Sequence, residues 1–159
     1  MYARDYALIA TPIGKIRVEG DDAGLTAIRI GGEGAASPGS SAAVRTAGEQ
    51  LAQWFARERE TFDLTLAPAG TPRGEALRAG LIAIGYGETL SYGALARTLG
   101  SSPRAIGQLC ARNPFPIVVP CHRVLGSGGA LGHYSGGDGP KTKAWLLEHE
   151  RPQSRETLL

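Results

Sequence analysis

A cysteine followed by a histidine is the residue pair in this sequence with the clearest capacity for covalent chemistry. Cys121 lies in the run Pro120-Cys121-His122-Arg123. The thiolate form of cysteine is the nucleophile, so a neighbouring group must take or share the thiol proton. His122 can serve as that base where the backbone turns sharply at Cys121. We therefore predict that Cys121 is a reactive thiol.

The segment before Cys121 is apolar and rich in proline. Pro114, Pro116 and Pro120 fall within seven residues, which excludes a helix and predicts a stiff, extended backbone that delivers Cys121 to the floor of a pocket. The other cysteine, Cys110, falls inside a predicted helix and is interpreted as a packing residue. No CxxC motif occurs and no Cys or His precedes Cys110, so no metal site is expected.

The elements that must position this thiol begin with a set of strands. Apolar–polar alternation and helical spacing of apolar residues predict four strands and one helix, at Tyr6–Thr11, Lys15–Glu19, Leu25–Ile30, Ala42–Arg57 (the helix) and Phe62–Leu66. A flexible loop rich in Gly and Ser is expected at Gly31–Ser41.

A composition change at Ala67–Pro72, Ala-Pro-Ala-Gly-Thr-Pro, is typical of a linker. We expect it to separate an N-terminal α/β domain with an antiparallel sheet, residues 1–70, from a mainly helical C-terminal domain, residues 71–159. The fold class predicted is thus α+β. The second domain is expected to open with a helix at Gly74–Ile84.

Two short helices joined by a tight turn follow. Ser91 is the predicted N-cap of the first, which ends at Gly100. Ser102 as N-cap and Pro103 at the first helical position open the second, which runs to about Arg112. Such a pair is a candidate helix-turn-helix, the motif that many DNA-binding proteins insert into a groove.

Charge is distributed unevenly along the chain. From Thr89 to Gly137 there is no acidic residue, yet four arginines fall there: Arg97, Arg104, Arg112 and Arg123. This pattern suits a polyanion partner such as a nucleic-acid backbone. No apolar run is long enough to span a membrane and no signal peptide is evident, so we expect a cytoplasmic protein whose reducing surroundings keep its thiols free.

Several segments resemble the O6-alkylguanine-DNA alkyltransferases, the methylated-DNA–protein-cysteine methyltransferases, and occur in the family's order along nearly the whole chain. They are Thr11-Pro12-Ile13-Gly14, Gly87-Glu88-Thr89-Leu90-Ser91-Tyr92-Gly93, Arg104-Ala105-Ile106-Gly107, Asn113-Pro114, Pro120-Cys121-His122-Arg123-Val124, Tyr134-Ser135-Gly136-Gly137 and Lys143-Ala144-Trp145-Leu146-Leu147-Glu148-His149-Glu150.

The resemblance implies DNA repair by single-turnover transfer of the alkyl group from O6-alkylguanine in double-stranded DNA to Cys121. O4-alkylthymine is a further candidate substrate. A ribonuclease H-like N-terminal domain is implied, and no cofactor, metal, membrane or obligate protein partner is expected.

The resemblance also implies a set of catalytic residues: Cys121, His122, Glu150, Asn113 and Tyr92. His122 would act as base through a water, and Glu150 would orient and charge-balance it. Asn113 would tie the recognition helix to the active-site segment. Tyr92 would help to rotate the damaged nucleotide out of the duplex.

Further residues are implied for DNA and base binding. The expected DNA contacts come from Arg104, which fills the gap left in the base stack, together with Ala105, Gly107, Arg112 and Tyr92. The guanine pocket is expected to include Pro116, Val124, Tyr134 and Ser135.

The sequence departs from the family's pattern in places. Arg78 stands where members usually carry a Trp, the turn between Gly100 and Arg104 is shorter, and the stretch from Gly137 to Trp145 is longer. Three other functions stay open. A non-catalytic lesion-binding protein of the alkyltransferase-like group would replace the cysteine, a Cys-His hydrolase would leave the helix pair unexplained, and a sequence-specific regulator would leave Pro-Cys-His unexplained.

Overall fold

The computed structural model describes residues 4–151, which form an α+β fold. In chain order the elements are β1 (Asp5–Thr11), β2 (Gly14–Asp21), β3 (Gly24–Ile30), α1 (Ala42–Phe55), α2 (Pro72–Ile82), β4 (Leu90–Ser91), α3 (Tyr92–Leu99), α4 (Pro103–Ala111), β5 (Val124–Leu125) and α5 (Pro140–Glu150). No helix among these residues is long and apolar enough to cross a bilayer.

The three long strands form an antiparallel sheet in the order β1-β2-β3, and α1 packs on it. Val44, Ala47, Leu51 and Trp54 are buried on one side of α1, because their spacing matches the helical repeat. Ser41 is the N-cap of this helix. These strands and this helix confirm the elements predicted up to residue 57.

The strand predicted at Phe62–Leu66 is wrong. Within the described residues this segment forms a single β-bridge, between Leu66 and Leu25. The outer edge of β3 is shared with another segment, since the Ile28 N–H donates to the Pro114 carbonyl at 2.8 Å. The stretch before the linker therefore has room to pair only near the start of β3.

The helix predicted at Gly74–Ile84 begins and ends two residues earlier, as α2. Thr71 Oγ1 accepts a hydrogen bond from the Gly74 N–H at 2.9 Å, and Pro72 occupies the first helical position. A side-chain cap followed by proline is a strong helix start. The predicted linker is shortened accordingly.

The capping residues predicted for the helix pair are confirmed. Ser91 and Ser102 accept hydrogen bonds from the Ala94 and Ala105 N–H groups at 3.0 and 3.1 Å. Gly100 ends α3 in the left-handed conformation, with φ 62°. Helices α3 and α4 thus form a helix-turn-helix arrangement.

A short parallel pairing links α3 to the reactive segment. β4, which directly precedes α3, pairs with β5, which directly follows Arg123, with Leu90 opposite Val124. This pairing holds the first residue of α3, Tyr92, near the turn that carries Cys121.

The segment before Cys121 turns back on itself, so the extended conformation predicted for it is wrong. The Val119 N–H donates to the Phe115 carbonyl at 2.8 Å, and Ile117 has φ 75°. Proline excludes a regular helix here but permits consecutive turns. Because Phe115 and Ile117 are each only 1% exposed, their burial favours the folded-back path.

Candidate active site

Cys121 begins a single 3-10 turn, Cys121–Arg123, directly after Pro120. Its side chain is 3% exposed and borders a cavity of about 130 Å³. Residues of α3, α4 and the loop before α5 complete the lining, which consists of Tyr92, Gly107, Cys110, Ala111, Cys121, His133, Tyr134 and Ser135. We call this space the thiol cavity. A reagent must enter it to reach the sulfur.

Two side chains, one in the last turn of α4 and one just after this helix, adjoin the sulfur. Asn113 Nδ2 donates to Cys121 Sγ at 3.3 Å, and Cys110 lines the thiol cavity beside Cys121. The neighbouring Cys110 thiol lowers the pKa of Cys121; burial opposes this, while the hydrogen bond from Asn113 and the charge of Lys143 lower it further. The net direction is downward, which favours the thiolate.

Asn113 also holds the backbone around the sulfur. Its Nδ2 donates to the Val119 carbonyl at 2.8 Å, and its Oδ1 accepts from the Phe115 N–H at 3.0 Å. These contacts join the end of α4 to the segment that leads into Cys121.

A buried polar network adjoins Cys121 on its C-terminal side. His122 Nε2 and Glu150 Oε2 are 2.8 Å apart. Arg123 donates from Nη2 to Glu150 Oε2 at 2.6 Å and from Nε to Oε1 at 2.9 Å. Its Nη1 donates to the Ile84 carbonyl at 2.6 Å. The carboxylate at the end of α5 therefore neutralises a buried guanidinium and also binds the histidine.

The contacts of Glu150 assign the proton on His122. An ionised carboxylate only accepts hydrogen bonds, so the neutral imidazole carries its proton on Nε2 and keeps a basic lone pair on Nδ1. Within residues 4–151 this buried Nδ1 has no hydrogen-bond partner. It is thus the nitrogen available to take a proton.

The pKa shifts of this pair have opposing causes. Burial alone would raise the pKa of Glu150, but hydrogen bonds from His122 and Arg123 outweigh it and lower the pKa to about 2. Burial lowers the pKa of His122, although Glu150 acts in the other direction. At neutral pH the site thus holds a charged carboxylate and a neutral imidazole.

Two of the four residues predicted for the pocket, Tyr134 and Ser135, line the thiol cavity. Tyr92 and Gly107, which were predicted to contact DNA, line it as well. The Tyr134 hydroxyl is buried and has no hydrogen-bond partner among the described residues.

Two residues predicted for the pocket do not line the thiol cavity. Pro116 lines a separate groove beside β3, because its segment folds back toward that strand. Val124 is 0% exposed in the core and pairs with β4. The predicted DNA contacts Arg104 and Arg112 are exposed on and just after α4.

Comparison with known proteins identifies the family. Residues 75–152 match the family model described as 6-O-methylguanine DNA methyltransferase, DNA binding domain. A methylated-DNA–protein-cysteine methyltransferase of Methanosarcina acetivorans is 39% identical over 153 residues, which span 91% of this chain and 97% of that protein. This chain belongs to the methylated-DNA–protein-cysteine methyltransferase family. The resemblance predicted from its motifs is confirmed, and the lesion-binding alternative is not favoured.

Solved structures agree with this assignment. The O6-methylguanine methyltransferase of Mycobacterium tuberculosis superposes with a TM-score of 0.79 at 33% identity, covering 99% of this chain and 100% of that one. The Mycobacterium tuberculosis protein OGT in complex with DNA gives a TM-score of 0.77 at 37% identity, covering 91% and 92% of the two chains.

Sequence reasoning missed two side chains of this methyltransferase site. Cys110 is buried as predicted, but it also lines the thiol cavity beside Cys121. Lys143 is 0% exposed, and its Nζ donates to the Val124 carbonyl at 2.7 Å and to the His133 carbonyl at 3.3 Å. Burial lowers the pKa of Lys143. Its signal in the sequence is its place on the buried face of α5, at helical spacing from Glu150.

Arg78 of this methyltransferase is accommodated on the inner side of α2. Its guanidinium donates to the Ala67 carbonyl at 2.8 Å and lies 5.3 Å from the centre of the Phe115 ring. A planar cation over an aromatic face occupies the space of a large ring while satisfying its own donors. Arg78 therefore packs α2 against Phe115 even though its side chain is charged.

Together these contacts describe a nucleophile rather than an inert core cysteine. The sulfur accepts a hydrogen bond from Asn113, borders a cavity, and lies next to a neutral histidine that a carboxylate orients. Such a site can attack an electrophilic carbon that enters the thiol cavity.

Proposed function

We propose that this protein repairs DNA by direct damage reversal, taking the alkyl group from O6-alkylguanine in double-stranded DNA onto its own Cys121. The observation that carries the proposal is the hydrogen-bonded Cys121 sulfur at the thiol cavity, next to the His122–Glu150 pair. No cofactor is required, because the protein itself is the acceptor.

The transfer is an in-line displacement at the alkyl carbon. Cys121 gives its proton to His122 through a water, and the thiolate attacks the carbon on the side opposite O6. The C–S bond forms as the C–O6 bond breaks, and the electron pair passes to the guanine, which then takes up a proton. The thioether has no good leaving group, so each molecule reacts once.

The carboxylate of Glu150 would support this step electrostatically. It is ionised and bound to His122 Nε2–H, so it stabilises the imidazolium that forms when Nδ1 takes the proton. Arg123 limits the cost of burying that charge.

The lining of the thiol cavity supports a role in holding the base. Tyr92 and Tyr134 offer aromatic surface and hydroxyl groups, and the Tyr134 hydroxyl has no partner within residues 4–151. Burial raises the pKa of both tyrosines, so their hydroxyls stay protonated and can donate to a purine. Ser135 adds a further polar group.

We propose that α4 enters the minor groove and that the damaged nucleotide is flipped into the thiol cavity. Arg104 is exposed near the start of α4 and would fill the gap in the base stack. Ala105, Gly107 and Arg112 would contact the duplex along the same helix. Helix α4 would therefore touch DNA near its start, while its last turn lines the thiol cavity.

Finer features of the fold are also proposals. We propose a boundary near residue 70 between a ribonuclease H-like N-terminal domain and the C-terminal domain that carries the site. A cytoplasmic location is proposed because Cys110 and Cys121 are both free thiols.

The test is direct. The protein is incubated with a duplex that contains a single O6-methylguanine, and its intact mass and modified peptide are measured. We expect a gain of one methyl group on Cys121 and none in Cys121→Ser. Binding of the lesion without any mass gain would refute the proposal.

A further inference from the structure

The imidazole of His122 makes one hydrogen bond within the described residues, from Nε2 to Glu150 Oε2 at 2.8 Å. This contact decides which nitrogen faces the carboxylate, but hydrogen bonds tolerate a range of angles, so the ring could still tilt about it. General-base catalysis needs Nδ1 within hydrogen-bond reach of the proton that it takes, or of one bridging water. Packing against the ring therefore has to supply the remaining constraint.

Trp54 packs against this ring from the N-terminal part of the chain. It lies in the last turn of α1 and is 0% exposed. The centre of its ring is 6.5 Å from that of His122, and the two ring planes meet at 77°. Aromatic rings favour this edge-to-face arrangement at such distances. The indole thus lies beside the base on which the proposed proton transfer depends.

The same end of α1 also holds the last turn of α5. His149 Nε2 donates to the Trp54 carbonyl at 2.9 Å, and the two rings lie 4.4 Å apart between centres. Arg57, two residues beyond α1, donates from Nη1 to the His149 carbonyl at 2.7 Å. Because His149 directly precedes Glu150, the end of α1 is attached to the backbone that carries the carboxylate as well as to the ring of His122.

We propose that Trp54 is a positioning residue of the alkyl transfer, whose indole holds the His122 ring so that Nδ1 stays where it takes the proton of Cys121. This inference rests on the proposed function, which it deepens. Trp54 is not among the residues that line the thiol cavity, so it would act only through His122. The N-terminal sheet and α1 would then contribute to the reaction by fixing the base.

Two substitutions of Trp54 separate its aromatic ring from the volume that it fills. Trp54→Phe keeps a rigid ring, whereas Trp54→Met is similar in size to the Phe variant but has a flexible side chain without a planar face. Both are smaller than tryptophan, so both should lose stability. Leu51→Ala is the control for loss of core packing alone, since Leu51 is 0% exposed and lies three residues earlier on α1. Circular dichroism identifies a temperature at which all the variants are folded.

Methyl transfer from saturating O6-methylguanine duplex is followed under single-turnover conditions. Trp54→Met should react roughly 10-fold more slowly than the wild type, because small misplacements of a catalytic group can cost up to about 100-fold. Trp54→Phe should recover most of the lost rate. Leu51→Ala should stay within about 2-fold of the wild type. If Trp54→Met does not fold, Trp54→Leu, which also lacks a ring, takes its place in every comparison.

The same substitutions are then made together with His122→Gln, which removes the base. Trp54→Met should cause no further slowing in this background, because its effect depends on His122. A side chain that only supports the fold would slow transfer by the same factor with and without the base. The cycle thus separates positioning of His122 from loss of packing.

A second readout requires no alkyl transfer. The Nε2 proton of His122 is buried and bound to Glu150, so its exchange with solvent, followed by proton NMR of the histidine ring, should be faster in Trp54→Met than in Trp54→Phe. Equal exchange rates and equal transfer rates in these two variants would overturn the inference. So would equal slowing by Trp54→Met with and without His122. If the wild-type protein takes up no methyl group, the proposed function fails instead, while the exchange rates still decide whether Trp54 holds the His122 ring.

Discussion

Glu150 is a buried carboxylate that binds two side chains at once. Arg123 neutralises the carboxylate by donating from Nε to Oε1 and from Nη2 to Oε2. His122 Nε2 also binds Oε2. Without Arg123, burying the charged Glu150 carboxylate would cost much more free energy. Without Glu150, His122 could adopt either neutral tautomer. The network therefore fixes both the charge and the proton position next to Cys121.

Replacing Glu150 with Gln tests this network. The amide keeps the shape but lacks the charge that stabilises a protonated His122, so transfer from a methylated duplex should slow about 100-fold. Affinity for the same duplex, measured with the Cys121→Ser background to prevent reaction, should change little. Glu148→Gln is the matched control, since Glu148 is exposed on the same helix. Equal losses of transfer rate and DNA affinity would contradict the role.

Site residues could be predicted from the sequence only where a local motif marks them. The Pro-Cys-His run marks Cys121, and the family's motifs link it to Glu150, although α5 is distant in sequence. Cys110 and Lys143 were missed because their places near the sulfur arise only when α4 and α5 pack beside the reactive segment. Spacing along the chain does not report such tertiary contacts.

At the scale of elements, α2 is held to the reactive segment by a charged residue. Arg78 bridges the Ala67 carbonyl and the Phe115 ring. Arg78→Met keeps much of the apolar stem but loses the donor and the cation, so unfolding free energy should fall by about 1–2 kcal/mol.

Urea denaturation measures this change. Arg73→Met on the exposed side of the same helix is the control and should change the free energy of unfolding by less than about 0.5 kcal/mol. Equal effects of the two substitutions would show that Arg78 contributes no more than a surface arginine.

Helix α4 is proposed to contact DNA near its start, and its last turn lines the thiol cavity. Arg104→Ala should slow transfer from a methylated duplex by at least about 10-fold, because flipping a base costs a few kcal/mol that Arg104 would offset. Reaction with free O6-benzylguanine needs no flipping and should be unaffected. Arg97→Ala, which removes an exposed arginine of α3, is the charge-matched control. Equal slowing with free base and duplex would exclude the flipping role.

Elements with strong capping signals were predicted well, and those that depend on a partner edge were not. Ser91, Gly100 and Ser102 fix the ends of α3 and α4 by local hydrogen bonds and backbone conformation. The alternating residues 62–66 looked like a strand, but strand formation requires a free neighbouring edge. Likewise, burial of Phe115 and Ile117 overrode the extended path that the prolines suggested.

For the whole molecule, the buried pair His122–Glu150 makes stability depend on pH. The pKa of His122 is lowered by folding, so below its ordinary value of 6.5 the unfolded chain binds a proton first and stability begins to fall. The pKa of Glu150 drops from 4.5 to about 2, so its contribution is complete above pH 4.5 and is lost between there and pH 2.

Urea unfolding at a series of pH values tests this dependence. Glu150→Gln should lower stability at neutral pH and flatten the decline between pH 4.5 and 2, whereas Glu148→Gln should retain the wild-type slope. A slope unchanged by Glu150→Gln would mean that other carboxylates govern acid unfolding.

Alkylation of Cys121 should itself destabilise the protein. The sulfur lies 3.3 Å from Asn113 Nδ2, so a methyl group on it crowds this contact, and we expect it to displace the end of α4 or its neighbours. A thioether is also a poorer acceptor than a thiolate, so the hydrogen bond from Asn113 loses strength. Overpacking typically costs about 1–3 kcal/mol, and each kcal/mol lowers Tm by about 2–4 °C in a chain of this size.

We therefore expect Tm to fall by about 5 °C after complete reaction. Because α4 also carries Arg104, its displacement should weaken binding to undamaged duplex, so that the spent protein leaves the repaired site. Thermal unfolding and DNA affinity are measured before and after reaction with methylated duplex, with Cys121→Ser treated identically as the control. An alkylated protein with unchanged Tm and unchanged affinity would show that the cavity absorbs the methyl group without moving α4.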